Sequence, residues 1–371
     1  MNCDVLITYC WNRVGYNILK SLSVKGLKVV VADTSKYNIC SISKYTSGSL
    51  VYPDPFTKEN EFINYLVKKV IELKPKVLIP THDESIIIAR HRHKFPSKLI
   101  IPIESEDKLI TLSNKILATQ LASEANIPTP NIYNYSDDNL NYPIVFKTAV
   151  GNSAKGVYFP KNKQEFDVLK EKYQHNETFI QEYIEGTDYC VDCIRHESFF
   201  YASVYKALIT KTNGGGTTTQ RIIVDNPKLI KYAKQFLGYV NYNGVCGLDF
   251  KVDSNGNAYF IECNARYTGG LATPIAAGFD IPYIHYSISI GNDFNQEINL
   301  KIGTKTKWIL GDIITFVGRV CSFNLSFSEF KSLCSFNFDA FDDFSCNDKK
   351  AIWGEMAYYL NKLIKNRKLN P

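Results

Sequence analysis

The sequence predicts an α/β protein of more than one domain, shading into α+β in its second half. Three observations carry this reading. The chain opens on a strand, a helix and a second strand in close succession. From Tyr142 onward, runs rich in β-branched and aromatic residues dominate, and Asn255-Gly256 separates two of them as a hairpin turn does. A length of 371 residues, 45% of them apolar and 22% charged, is enough for two or three domains with cores of their own.

The opening elements are a strand over Val5 to Tyr9, a helix over Val14 to Lys25 and a strand over Lys28 to Ala32 that ends at Asp33. This βαβ unit resembles a Rossmann start. Its first turn, Tyr9 to Arg13, has no glycine before Gly15, so the backbone cannot close on a pyrophosphate and no dinucleotide site is expected. A helix follows over Asn60 to Lys74, with Phe62, Ile63, Leu66, Val67, Val70 and Ile71 as its apolar face, then a strand over Val77 to Ile79. That strand runs into Pro80-Thr81-His82-Asp83-Glu84, a polar cluster where open α/β sheets bind ligands; Thr81 or Asp83 capping the next helix explains it equally well.

A helix over Ser113 to Ala125 comes next, and Ile127-Pro128-Thr129-Pro130 marks a boundary. Cys190 and Cys193 lie in an extended run where a spacing of three sends them to opposite faces, which does not suit a metal. The segment from about Asn295 ends in an amphipathic helix with Ile352, Met356, Tyr359, Leu360 and Leu363 on one face. That face is expected to dock on the body, with contact to a membrane or partner through Lys362, Lys365 and Arg367 as the alternative.

Charge narrows the function classes. Lys and Arg number 43 against 37 Asp and Glu, and the +6 excess is scattered; the densest run, Arg90 to Lys94, is interleaved with His, so no nucleic-acid partner is expected. The start lacks the pattern of a signal peptide and no apolar run reaches the length of a membrane span, so a cytoplasmic location with ten reduced cysteines is expected.

The stretch from Gly247 to Arg266 carries the chemistry. A two-residue turn at Asn255-Gly256 makes Ser254 face Asn257 and, counting outward, sets Asp249 opposite Glu262, Phe250 opposite Ile261 and Val252 opposite Tyr259. Asp249, Glu262 and Asn264 then share one face, and Cys263 points to the other. Carboxylates directly opposed, with Cβ atoms about 5 Å apart, repel unless a cation sits between them. Oxygen donors with no nearby His suit Mg²⁺ or Mn²⁺. A surface hairpin whose acids pair with Lys251 is the plainer alternative. A second element, Pro143 to Val157, joins two strands through a small-residue loop; Gly151, Ser153 and Gly156 let backbone N–H groups close over phosphate oxygens, and Lys147 supplies a countercharge.

These elements together resemble the ATP-grasp superfamily, in particular biotin carboxylase, D-alanine:D-alanine ligase and the carbamoyl-phosphate synthetase large subunit. The resemblance rests on Lys115, Lys147 with its loop, the run Phe179 to Asp188, and Asp249 with Glu262, Asn264 and Arg266, in that order over residues 1 to 295. It implies an ATP-grasp fold behind a Rossmann-like pre-ATP-grasp domain. The divisions expected are 1–107 for that domain, 108–180 for a small lobe, 181–294 for a large lobe with the metal site, and 295–371 for a C-terminal extension.

Carried over residue by residue, the resemblance implies that Lys115 and Lys147 contact ATP phosphates. Gln181, Glu182, Tyr183 and Ile184 line the adenine pocket, and Asp188, or Glu185 in its place, meets the ribose. Asp249, Glu262 and Asn264 hold magnesium, and Arg266 steadies an acyl phosphate. The segment from Tyr205 to Arg221, with Gly214, Gly215 and Gly216, stands where the family has a mobile substrate-covering loop, from which Lys206 or Arg221 would reach the substrate. The activity implied is ligation of a carboxylate to an amine through an acyl phosphate. A kinase using the same site and a non-catalytic nucleotide-binding regulatory protein are the alternatives. The expected partners are small carboxylates and amines such as an amino acid, a peptide or a sugar acid; a homodimer is compatible with all of this.

Overall fold

The computed structural model describes residues 3–135, 140–151, 156–212, 215–294 and 297–366. The N-terminal sheet is parallel, in the spatial order Gly48–Val51, Val29–Asp33, Val5–Ile7, Val77–Ile79. The last three of these strands are buried throughout, because helices cover both faces and an unbroken apolar run is then stable on each side. Val5, Ile7, Val29 and Val31 pack with the helix Arg13–Val24 and with Ile281 and Ile284, while Leu6, Val30 and Leu78 pack with the helix Glu59–Leu73.

On that second helix Phe62, Ile63, Leu66 and Val70 are buried, whereas Ile71 is exposed. The expected apolar face is narrower because each step of four residues rotates by about 40°, so Ile63, Val67 and Ile71 walk off the sheet. The glycine-free first turn is held by the buried Asp33, which accepts the Trp11 and Ser35 N–H groups at 3.0 and 2.9 Å. Asn12 caps the following helix, accepting from Val14 and Gly15 N–H at 2.9 and 3.2 Å.

The helix expected over Ser113 to Ala125 is Lys115–Glu124, and a further helix, Glu106–Ser113, runs directly into it. Asn114 divides them by turning its side-chain oxygen to the Ile116 and Leu117 N–H groups, an N-cap in mid-run. Lys115 therefore opens the second helix. Beyond it lies a small antiparallel sheet in the order Ile132–Tyr133, Thr178–Glu182, Ile144–Thr148, Val157–Tyr158, with Phe166 of the helix Lys163–Lys172 packed on Ile144, Phe146 and Ile180.

The largest sheet has seven strands in the order Ala258–Asn264, Gly244–Val252, Thr187–His196, Phe199–Thr212, Gly215–Val224, Lys305–Lys307, Ala340–Phe341. Two corrections follow. The segment expected as a mobile cover is mostly the antiparallel pair Phe199–Thr212 and Gly215–Val224, paired from Val204 with Val224 out to Thr212 with Gly215; its threonines and β-branched residues favour strand, and Thr219, Gln220 and Arg221 are buried. The C-terminal segment is not merely appended, since it supplies the last two strands.

The last helix, Ala351–Asn366, docks on the body as expected, but by a face that shares Tyr359 with the expected one and leaves out Met356 and Leu360. Ala351, Gly354, Glu355 and Tyr359 are buried and Tyr358 stacks on Trp11 at 4.7 Å, leaving Met356 and Leu360 exposed. Gly354 decides this: a Cβ there would come within 2.4 Å of the Asn38 carbonyl oxygen, so the helix sits backbone to backbone on the N-terminal domain. Among the described residues no helix is long and apolar enough to cross a membrane.

Candidate active site

The hairpin is built differently from the count made on its sequence, yet brings the same two acids together. Asp253 accepts the N–H groups of Asn255 and Asn257 through its side chain at 2.9 and 2.8 Å, and Gly256 takes a positive φ of 80°. The turn thus has three residues, and Val252 faces Ala258, Lys251 faces Tyr259 and Phe250 faces Phe260. A bulge between Asp249 and Phe250 in the pairing then absorbs Ile261, and Asp249 stands opposite Glu262. Phe250 and Phe260 enter the core, Cys263 goes with them, and Ile261 is released to line the cleft.

A cavity of about 310 Å³ lies between the sheets. Asp249, Glu262, Asn264 and Arg266 line it together with Lys115, Lys147, Gln181, Glu182, Tyr183, Ile184, Asp188 and Arg221. The Asn264 amide donates to Asp249 Oδ2 at 3.1 Å and to Glu262 Oε1 at 3.4 Å. Lys115 Nζ lies 3.5 Å from Glu262 Oε2 and donates to the Gly151 carbonyl. Lys147 Nζ donates to Gln181 Oε1 at 2.8 Å, which leaves Gln181 Nε2 buried with no partner.

Electrostatics divide the acid pair. Burial, then the charge of Glu262, pushes the Asp249 carboxyl well above the ordinary carboxylate range. Burial acts upward on Glu262 too, but the Lys115 and Lys147 charges, together with hydrogen bonds to Asp249 and Asn264, hold that carboxyl below its usual value. Lys147 is lowered to about 8, first by burial and, against the pull of Glu262, by the Lys115 charge.

These groups fit a hard divalent cation. Two carboxylates and an amide converge, and the amide now stands where a cation's charge would relieve the pair; turned over, it offers Oδ1 to the same point. Among the described residues no group of three His, Cys, Asp or Glu could hold a metal, and Asn264 is the further side-chain donor bonded to both acids.

The remaining expected residues are distributed unevenly. Asp188 lines the cavity but pairs with Lys251 Nζ at 2.5 Å, while Glu185 is exposed and outside it. Lys251, expected only as a surface partner of the metal-site acids, serves Asp188 instead. The Glu182 carboxylate is turned to Asn131, accepting from its N–H at 3.1 Å and its amide at 2.8 Å. Gly151 lines a smaller neighbouring cavity with Lys115 and Glu262. Gly156 lines neither; with φ at +77° and Thr148 Oγ1 2.3 Å from where a Cβ would sit, it has to be glycine. Ser153 lies outside the described residues.

Lys206 does not line the cavity, and its Nζ lies 6.0 Å from the Tyr189 ring centroid. Arg221 does line it, though not from a solvated loop: it is a buried strand residue bonded to Asp342. Arg266 is pinned on one edge, its Nε 3.2 Å from Asp83 Oδ1 and its Nη1 donating to the Tyr267 carbonyl. Asp83 thus gives no side-chain cap to the helix it precedes, and the polar cluster after Ile79 reaches the cleft through Asp83 and His82. Trp11, Asn12 and Arg13 also line it. The rule that ligands gather past the carboxyl ends of parallel strands applied to their turn as much as to Thr81 and Asp83.

A family described as "ATP-grasp in the biosynthetic pathway with Ter operon" matches residues 174–310. β-Citrylglutamate synthase B of Danio rerio is 25% identical over 227 residues, which is 55% of this chain and 54% of that protein, so the match spans about half of each. Among solved structures, the L-amino acid ligase from Bacillus licheniformis superposes with a TM-score of 0.66 at 15% identity, covering 81% of this chain and 78% of that one. The biotin carboxylase domain of Hydrogenobacter thermophilus 2-oxoglutarate carboxylase, solved with MgADP and bicarbonate, gives 0.64 at 15% identity over 82% and 74%. The fold is that of the ATP-grasp superfamily, to which the ordered motifs pointed, and residues 174–310 carry the match to one ATP-grasp family.

Proposed function

We propose that the protein is an ATP-dependent carboxylate–amine ligase that releases ADP and phosphate. The observation that carries the reading is the convergence, in one cavity, of the Asp249 and Glu262 pair with Lys115, Lys147 and Arg266. Two anions, a substrate carboxylate and the γ-phosphate, meet only where such cations neutralise them. The names of two similar proteins, a β-citrylglutamate synthase and an L-amino acid ligase, point the same way.

In this reading ATP lies with its phosphates toward Lys115 and Lys147, its base near Gln181 to Ile184 and its ribose near Asp188. A Mg²⁺ or Mn²⁺ ion on Asp249, Glu262 and Asn264 would add positive charge beside the phosphates. A carboxylate oxygen bonds to the γ-phosphorus, the bond to the β,γ-bridging oxygen breaks, and ADP departs. Arg266, held through Nε by Asp83 and through Nη1 by the Tyr267 carbonyl, would use Nη2 on the acyl phosphate. The amine nitrogen then attacks the acyl carbon, the bond to the phosphate oxygen breaks, and the nitrogen gives up its proton as phosphate leaves. The substrates are small: an amino acid or peptide first, a sugar acid second.

Hydroxylamine tests this. With ATP, magnesium and a panel of amino acids and uronic acids, a hydroxamate forms where an acyl phosphate forms. Arg266→Lys is expected to depress that partial reaction as severely as the complete one, because an ammonium cannot reproduce the guanidinium fork. A phosphorylated alcohol in place of the hydroxamate would instead mark a kinase.

A further inference from the structure

We infer that the end of the cleft away from the metal pair binds a second anionic group of the substrate, on Arg13 and Arg221. This deepens the ligase reading and rests on it. Arg13 begins the first helix, Arg221 belongs to a central strand of the large sheet, and both line the cavity. Their guanidiniums share one carboxylate. Arg13 Nε lies 3.2 Å from Asp342 Oδ2, and Arg221 Nη1 donates to Asp342 Oδ1 and Oδ2 at 3.0 and 2.8 Å. Side-chain exposure is 10% for Arg13, 1% for Arg221 and 0% for Asp342. Two buried cations on one anion leave a positive charge to be met from the open side, and burial makes that deficit costly.

Among the described residues no acid besides Asp342 is hydrogen-bonded to either guanidinium, although Asp192 lies near enough to Arg221, and Glu355 to Arg13, to feel its charge. Asp343 turns its oxygens to the Ile309 and Leu310 N–H groups at 3.1 and 2.9 Å, and Asp192 accepts the Thr268 hydroxyl at 2.7 Å. Glu355 accepts the Trp308 indole N–H at 3.3 Å, and burial pushes its carboxyl well above the ordinary range, favouring the neutral form. Arg221 Nε is buried with no hydrogen-bond partner. The walls hold Arg13 in place: the Trp308 ring covers its guanidinium at 3.8 Å, its Nε donates to the Gly269 carbonyl at 3.0 Å, and a Cβ on Gly269 would lie 2.7 Å from its Nη2. A guanidinium fork matches the oxygens of a carboxylate or a phosphate, so the substrate class is a carboxylic acid carrying a second oxyanion.

Calorimetric titration of the whole chain with butyrate, glutarate and 3-phosphoglycerate, at constant ionic strength and with and without MgADP, decides it. Glutarate or phosphoglycerate is expected to bind roughly ten-fold more tightly than butyrate, and Arg13→Gln to remove that preference. The tighter of the two identifies the oxyanion. Equal binding of all three acids to the wild type, or a preference that survives Arg13→Gln, overturns the inference. Gly269→Ala, which displaces the guanidinium without deleting its charge, is read in the same way if Arg13→Gln does not fold. Failure of MgADP to bind the wild type would count against the ligase reading alone, since the acid comparison without nucleotide still decides the subsite.

Discussion

The two ends of the cleft are built in opposite ways. At the end with the acid pair, Asp249, Glu262 and Asn264 come from a single hairpin whose strands are joined by a three-residue turn, and Lys115 and Lys147 arrive from other elements. At the far end, Arg13 touches Gly269 across 256 residues of sequence, Arg221 reaches Asp342 across 121, and Asn17 bonds the Asp342 carbonyl across 325. A hairpin keeps its geometry through its own ladder, whereas the far end exists only while the C-terminal strands stay docked. The first end should therefore respond to substitution in chemistry and the second in stability.

The largest effect is expected from Glu262→Gln, which removes a charge and keeps the shape. Magnesium-dependent ADP release should fall at least about a thousand-fold while the circular dichroism spectrum is unchanged. Near-normal activity at ordinary magnesium concentration would show that the hairpin does not hold the ion. Asp342→Asn should act in the other way, leaving two buried guanidiniums without their anion and costing about 3 to 5 kcal/mol in urea unfolding. A loss below about 1 kcal/mol would mean that the far end does not depend on this pairing.

Lys147→Ala is expected to cost roughly 3 to 4 kcal/mol of transition-state stabilisation, or about a hundred- to a thousand-fold in rate. Lys115 lies nearer to Glu262, so comparing it with Lys147 sharpens which cation serves the acids and which the phosphates. The value of about 8 for Lys147 gives this a pH signature. The charged form prevails below that value, so ATP affinity measured by titration should weaken as pH rises through about 8, and Lys147→Ala should flatten the profile. The smallest effect tests the join beside Lys115: Asn114→Ala removes a helix cap and should cost about 1 kcal/mol, read as a lowered midpoint of thermal unfolding.

How much of this was legible follows the same division. The opposition of Asp249 and Glu262 is local, and the period-two pattern located it even though the turn was miscounted. The side chain of Asp253 selects a three-residue turn over the two-residue one that Asn-Gly favours, and the bulge at Ile261 restores the register. Lys147 was likewise within reach beside its small-residue loop, whereas Gln181 came only from the resemblance of the run Phe179 to Asp188.

Nothing in a window around Arg221 reveals Asp342, and a run of glycines and threonines reads as a flexible loop until two distant strands are found to flank it. The final helix shows the same limit. Its apolar residues were read as the docked face, but the close approach allowed by Gly354 outweighs them. Periodicity cannot report a partner's shape.

Asp342 also bears on the order in which the protein is made. The first helix leaves the ribosome early with Arg13, but the carboxylate that anchors Arg13 follows only after the strand Ala340–Phe341 has been synthesised. Until then the first domain can fold and the hairpin can close, yet the far wall of the cleft lacks its anchor. Chains arrested before Ala340 should bind nucleotide without the selectivity for acids proposed for the finished protein. A growing chain would thus come to hold ATP before it could choose what to spend it on.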